Sequence, residues 1–149
     1  MVSDTTTRVS LRLKSDIYEL ILKLAKEAGI DVSAFMQDAL EQAVYEHLPE
    51  ERRNELDNTK ALYAAAQAKA REVFNAGRFD EHFTLKVFQE LMKDQETKQL
   101  YEAVLGVDAY TVGAPKKMPL NMYLGCFIKN EVSAKRILNP SGKPRRAFI

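Results

Sequence analysis

The feature that most limits how this chain can fold is a strict alternation of side chains near its N-terminus. Between residues 8 and 13 every second residue is aliphatic, and the residues between them are polar or charged. One side of an extended chain would carry the polar set Arg8, Ser10 and Arg12, and the other the aliphatic set Val9, Leu11 and Leu13. A period of two with aliphatic and β-branched residues predicts a half-buried strand over about residues 5–13.

Such a strand needs a neighbour, because its N–H and C=O groups require hydrogen-bond partners. The next stretch with any strand character, residues 107–112, lies about ninety residues further along the chain. A module of about forty residues also rarely buries enough apolar surface to fold alone. Both problems are solved if two copies pair their strands about a twofold axis. The sequence therefore predicts a homodimer or a higher even oligomer.

Two helices are predicted directly after the strand. Ser15 and Asp16 are typical N-cap residues, and apolar residues then follow at helical spacing until Gly29, which ends the helix. Asp31 is a second N-cap, and the apolar face that follows it lasts for more than three turns. The predicted order is strand, helix, glycine turn, helix.

This order resembles the ribbon–helix–helix family of phage, plasmid and bacterial repressors. The resemblance covers residues 5–47 and is carried by three stretches, residues 8–13 (RVSLRL), 28–33 (AGIDVS) and 35–40 (FMQDAL). It implies an N-terminal ribbon–helix–helix fold, with one strand and two helices per chain, that dimerises through an intermolecular two-stranded β-ribbon. It also implies that this ribbon enters the major groove of double-stranded DNA.

The resemblance assigns roles to particular residues. Arg8, Ser10 and Arg12 would contact base edges, since arginine bonds guanine bidentately and serine serves donor or acceptor groups. Lys14, together with the backbone of Val32 and Ser33 at the start of the second helix, would bind DNA phosphates. The neighbouring Asp31 departs from the small neutral residue often found there, and its charge would oppose a phosphate. The alternative for the two arginines is an ordinary solvated strand face.

The rest of the chain is predicted to be helical and is strongly divided by charge. Residues 37–110 have a net charge of −6 and residues 111–149 of +7, although the whole chain carries only +1. Helical spacing predicts helices over residues 59–74, 84–92, 97–105 and 120–128, and a shorter one at 133–138. The expected fold is mainly α, with three regions: the N-terminal module at 1–48, an acidic helical region at 49–106 and a basic C-terminal region at 107–149. The last two regions form either one domain or two.

The basic C-terminal region offers auxiliary nucleic-acid contacts. Phosphate attraction by such a cluster is independent of base sequence and sensitive to salt. The candidate side chains are Lys129, Lys135, Arg136, Lys143, Arg145 and Arg146. The alternatives are a solvated tail, or a surface that docks on a protein partner such as the acidic middle of another subunit.

Several functional classes are not expected. No apolar run approaches the ~20 residues that a transmembrane helix needs, and the single cysteine, Cys126, allows no intrachain disulfide. These features favour a cytoplasmic, nucleoid-associated protein without membrane contact. His47 and His82 lack further ligands at metal spacing, and no nucleophile–base pair or phosphate-binding glycine loop is present, so no metal, cofactor or enzymatic activity is expected.

Four functions fit this pattern. The first is a sequence-specific transcriptional regulator of bacterial or phage type, acting as a repressor. The second is the antitoxin of a toxin–antitoxin pair, and the third an accessory protein for plasmid or phage DNA processing, in partition or in a relaxosome. The fourth is an interaction protein that keeps the dimer and does not bind DNA.

Overall fold

The computed structural model describes residues 5–132, and throughout this part of the chain the regular structure is helical. The elements are α1 (Ser15–Ala28), α2 (Val32–Val44), a 3-10 turn (Tyr45–His47), α3 (Glu50–Asn75), α4 (Phe83–Lys93), α5 (Gln95–Leu105) and α6 (Lys117–Glu131). The chain divides within α3, after Leu56, into two compact units, which we call unit 1 and unit 2. The mainly α class is confirmed.

The prediction of an N-terminal strand is wrong. Residues 5–14 form neither helix nor strand, and no sheet exists anywhere in residues 5–132. The ribbon–helix–helix fold class, with its intermolecular β-ribbon, is therefore not what this structure has. Alternation orders side chains along an extended backbone, whereas a strand also requires a neighbouring backbone to bond with. The described residues supply no such neighbour.

The two helices of unit 1 are joined as their turn residues predict. Gly29 adopts φ 74°, its N–H donates to the Lys26 carbonyl, and the next N–H donates to the Ala25 carbonyl, which closes α1 with a left-handed cap. Asp31 caps α2 by accepting from the Ala34 N–H at 2.7 Å. The start of α1 differs from the prediction, because Lys14 occupies the N-cap position and makes no side-chain cap bond.

Unit 2 contains the hydrophobic core. Its members come from the second half of α3, from α4, α5 and α6, and from the α5–α6 loop. The buried side chains are Leu62, Ala66, Ala70, Val73, Phe83, Val87, Phe88, Leu91, Met92, Tyr101, Leu105, Ala109, Leu120, Leu124 and Ile128. Unit 1 has a single buried hydrophobic residue among those described, Ala25.

The loop between α5 and α6 contains the second stretch with strand character, and it forms turns instead. Its backbone polar groups are satisfied by side chains: Glu102 accepts from the Ala109 N–H at 3.0 Å, and Lys117 Nζ donates to the carbonyls of Ala109 and Thr111 at 2.7 and 3.3 Å. Gly106 and Gly113 both take positive φ. Since these groups bond to side chains, the loop has no need of a strand partner.

One buried polar pair ties α5 to α6. The Tyr101 hydroxyl donates to Asn121 Oδ1 at 2.6 Å. Burial raises the pKa of Tyr101 to about 12, because the phenolate form would lose its hydration. The phenol therefore stays protonated over the physiological range.

Candidate nucleic-acid interface

The segment that precedes α1 is exposed along its whole length. Every residue from 5 to 14 is solvent-exposed, and this includes the predicted base-contacting residues Arg8, Ser10 and Arg12. The segment ends where the Lys14 carbonyl accepts from the Tyr18 N–H at 3.0 Å and α1 begins. The three predicted base-contacting residues thus lie on one accessible stretch of chain.

The aliphatic residues between them are exposed as well. Val9 is 70% exposed and Leu11 62% exposed, and Leu13 is 40% exposed. Aliphatic side chains at alternating positions are costly to leave in water, at about 25 cal/mol per Å² of apolar surface. In a single copy this apolar surface is therefore open to solvent.

This surface continues onto α1 and α2 as an open groove of about 630 Å³. The segment lines it with Val9, Leu11 and Leu13. The two helices line it with Ser15, Tyr18, Glu19, Leu22 and Met36. The helical spacing of α1 did not identify Tyr18 and Leu22, because they lie beside its apolar stripe and not on it. The sequence feature that could have identified Tyr18 and Leu22 is the width of the apolar arc of α1, which extends beyond a single stripe.

The arc of α1 is wider than one contact can bury. Ala25 marks the buried side, Tyr18 and Leu22 lie to one side of it, and Ile17, Leu20 and Leu24 lie to the other. Ile17, Leu20 and Leu24 are 45%, 60% and 48% exposed. A helix of a globular protein normally buries its apolar stripe. In α1, by contrast, apolar side chains are exposed on both sides of Ala25, the one buried residue of this helix.

The electrostatics of the N-terminal segment favour an anion. Residues 5–15 contain three basic side chains, Arg8, Arg12 and Lys14, and no acidic one. Residues 31–51 are the opposite, with six acidic side chains and no lysine or arginine. The charged side chains of residues 5–14 are thus all basic, whereas the other four cations of unit 1, Lys23, Lys26, Arg52 and Arg53, lie in α1 and α3 among acidic residues.

The predicted phosphate site at the start of α2 has a carboxylate in it. Val32 is half-buried and Ser33 is exposed, with its Oγ accepting from Gln37 Nε2 at 3.4 Å. Asp31 occupies the end of the helix by accepting the Ala34 N–H. An intrinsic anion at a helix N-terminus reduces its attraction for a phosphate, so the geometry opposes the role predicted for Val32 and Ser33.

Of the predicted auxiliary cations, only Lys129 lies within residues 5–132. It occupies the last turn of α6 and is half-buried. The other five candidates lie outside the described residues: Lys135, Arg136, Lys143, Arg145 and Arg146. The predicted helix at 133–138 also falls there.

Residues 5–132 offer neither a metal-binding cluster nor a helix that could span a membrane. Within this range, histidine, cysteine, aspartate and glutamate side chains nowhere gather in a group of three that could hold a metal ion. The helices of the same residues also lack the combination of length and apolar content that a bilayer span requires.

Comparison with known proteins yields no relative. No family model, curated protein or solved structure matches the chain.

Proposed function

We propose that this protein binds double-stranded DNA sequence-specifically as a homodimer and acts as a transcriptional regulator, repressing the promoters that it occupies. One observation carries the proposal: the exposed segment before α1 alternates the cationic and polar set Arg8, Ser10 and Arg12 with exposed aliphatic residues. One set suits DNA and the other suits a protein partner. Binding alone is sufficient for repression, so the proposal needs no enzymatic activity.

The exposed apolar surface of unit 1 supports the homodimer. Val9, Leu11 and Leu13, with the two flanks of α1, are apolar yet open to solvent in one copy. A second copy brings the same surface about a twofold axis, as most soluble oligomers do. Dimerisation also doubles the cationic segments, so that two of them meet one DNA site.

The chemistry of the polar set suits base recognition. Arginine forms two parallel hydrogen bonds with guanine O6 and N7, and each good bidentate pair contributes about 1–3 kcal/mol of discrimination. Serine bonds donors or acceptors on base edges. Lys14, also exposed, adds attraction to phosphates that does not depend on base sequence.

The structure of unit 2 bears on the alternatives. An antitoxin that wraps its toxin typically orders on binding, because it cannot bury enough apolar surface when free. Unit 2 has fifteen buried hydrophobic residues in one cluster, which disfavours that alternative. Repressor and DNA-processing accessory share the same DNA chemistry and differ in their target sites.

Selection of bound oligonucleotides by the purified protein, at stated salt concentration, tests the proposal. We expect an enriched, twofold-symmetric sequence; sites near promoters support repression, and sites at transfer or partition origins support the accessory role. Absence of any enriched sequence contradicts sequence-specific binding in every form.

Substitution of the base-contacting residues sharpens this test. Arg8→Ala and Arg12→Ala should each weaken binding by about 1–3 kcal/mol and relax sequence preference. Lys60→Ala removes one exposed cation from α3 and serves as the matched control for charge. If the two arginine variants bind as the wild type does, DNA contact lies elsewhere, and the cationic side chains of residues 129–146 are the next candidates.

A further inference from the structure

Unit 2 has an exposed apolar surface that its core does not use. We call it the methionine surface and define it by Val112, Met118 and Met122, which are 95%, 63% and 57% exposed. Met118 and Met122 are four residues apart on α6 and so lie on one face. Methionine adapts its shape to a partner and is frequent at interaction surfaces. This surface therefore has the composition of a protein-binding site.

The loop that carries Val112 is held in place by side chains beneath it. Ala109 is fully buried, and Glu102 and Lys117 bond to the loop backbone on both sides of Tyr110. A loop fixed in this way loses little conformational entropy when a partner binds. The exposed valine is therefore already positioned for a partner.

The charge around the methionine surface selects the kind of partner. Residues 109–130 contain three lysines and no acidic residue. Lys129 follows Met122 by seven residues, which places it along the same face of α6. Two methionine surfaces facing each other would bring like charges together. The surface thus fits a partner that is apolar and acidic.

Unit 1 of another copy offers such a surface, which we call the acidic surface. Its apolar pair is Leu40 and Val44, four residues apart on α2 and 54% and 48% exposed. Glu41 lies beside this pair, and all six acidic residues between positions 31 and 51 are exposed. The acidic surface therefore has the same helical spacing as the methionine surface, and it has the carboxylate of Glu41 beside its apolar pair, whereas the methionine surface has Lys129 along its face.

We propose that the methionine surface of one copy binds the acidic surface of a second copy, helix against helix. This contact goes beyond the proposed function: it uses neither the segment before α1 nor DNA. It joins two different surfaces and is therefore a heterologous contact, which we place between dimers. The protein consequently assembles beyond the dimer as its concentration rises.

Sedimentation velocity of the full-length protein over a range of concentrations, without DNA, tests the proposal. We expect species larger than the dimer at high concentration, and fewer of them at high salt, because screening weakens attraction between exposed charges. If the wild type forms no such species at any concentration, the proposal is overturned.

Charge substitutions at one exposed position of each surface give the sharper test. Met122→Glu should raise the concentration needed for the larger species by about tenfold or more, since it faces acidic residues, whereas Met122→Lys should preserve them. On the other surface the signs reverse: Leu40→Lys should abolish the larger species and Leu40→Glu should keep them. The double variant Met122→Glu/Leu40→Lys should assemble again, because the two changed surfaces attract each other and no unchanged pair of surfaces remains.

The outcomes separate this proposal from the proposed function. Equal effects of glutamate and lysine at residue 122, or no effect of either, overturn the contact. If neither Met122→Glu nor Met122→Lys changes self-association, and Met122→Lys strengthens DNA binding while Met122→Glu weakens it, the methionine surface is a nucleic-acid contact and the proposal is overturned. A wild type that shows no dimer at any concentration below that of the larger species, or that selects no DNA sequence, counts against the proposed function and leaves the charge asymmetry at residue 122 as the separate criterion. Unchanged thermal unfolding of each variant verifies that these exposed substitutions leave the fold intact.

Discussion

The two units of this protein use the same kinds of apolar residue in opposite ways. In unit 2 the large side chains of four helices meet in one buried cluster. In unit 1 a helix of comparable apolar content buries only Ala25 and leaves leucines on both of its flanks exposed. The difference is that unit 2 buries a hydrophobic core within one chain, whereas unit 1 leaves most of its apolar surface exposed, which is the surface that the proposed homodimer would cover.

The largest expected effect comes from breaking the core of unit 2. Leu124 is fully buried in α6, so Leu124→Ala should remove about 2–5 kcal/mol from the free energy of unfolding. Because the leucine packs against residues of its own chain, this destabilisation should be the same at every protein concentration. Denaturant unfolding followed by circular dichroism measures it. A destabilisation that changes with concentration would mean that unit 2 also depends on a partner.

A smaller effect, and one that depends on concentration, is expected in unit 1. Leu20 is 60% exposed in a single copy, and its burial by a second copy should contribute about 1–3 kcal/mol. Leu20→Ala should therefore accelerate amide hydrogen exchange in α1 at concentrations where the wild type is dimeric. On dilution, the exchange rates of the variant and the wild type should become equal, because both are then monomeric. Identical exchange of variant and wild type at all concentrations would contradict burial of Leu20 by a second copy.

The smallest effect separates polar from apolar contributions in unit 2. Tyr101→Phe keeps the ring and removes the hydrogen bond to Asn121, at a cost of about 1 kcal/mol. Tyr110→Phe is the matched control, because Tyr110 is 55% exposed. Denaturant unfolding near neutral pH measures both.

The same pair of variants predicts a pH dependence. The pKa of Tyr101 is raised from 10.0 to about 12 in the folded state, so its protonated form stabilises the fold. That contribution is complete below pH 10 and is lost as the pH rises towards 12. The stability difference between wild type and Tyr101→Phe should shrink over this range. A constant difference would contradict burial of the phenol.

The sequence was sufficient for features that depend on local contacts. Asp31 and Gly29 mark the junction of α1 and α2 because capping and left-handed φ involve only neighbouring residues. Gly106 ends α5 for the same reason. The core helices of unit 2 follow from apolar residues at a period of 3.6.

The sequence was insufficient where backbone partners lie far away or are absent. Alternation at residues 8–13 predicts which side chains would share a side of an extended chain, yet it contains no information on which backbone would complete a sheet. Around residue 109 the backbone bonds to Glu102 and Lys117, a solution that no periodicity encodes. The candidate site itself rests on the same alternation: exposure of Arg8 and Arg12 is observed, and their contact with DNA stays a prediction.

The exposed flanks of α1 have a consequence for biosynthesis. Unit 1 precedes unit 2 in the chain, so its apolar helix is synthesised before the residues of unit 2. At about 5–20 residues per second, synthesis of unit 2 takes on the order of seconds, and transiently exposed hydrophobic surface is prone to aggregation. We therefore expect the flanks of α1 to make the nascent chain dependent on chaperones, and slower translation after unit 1 to increase that dependence.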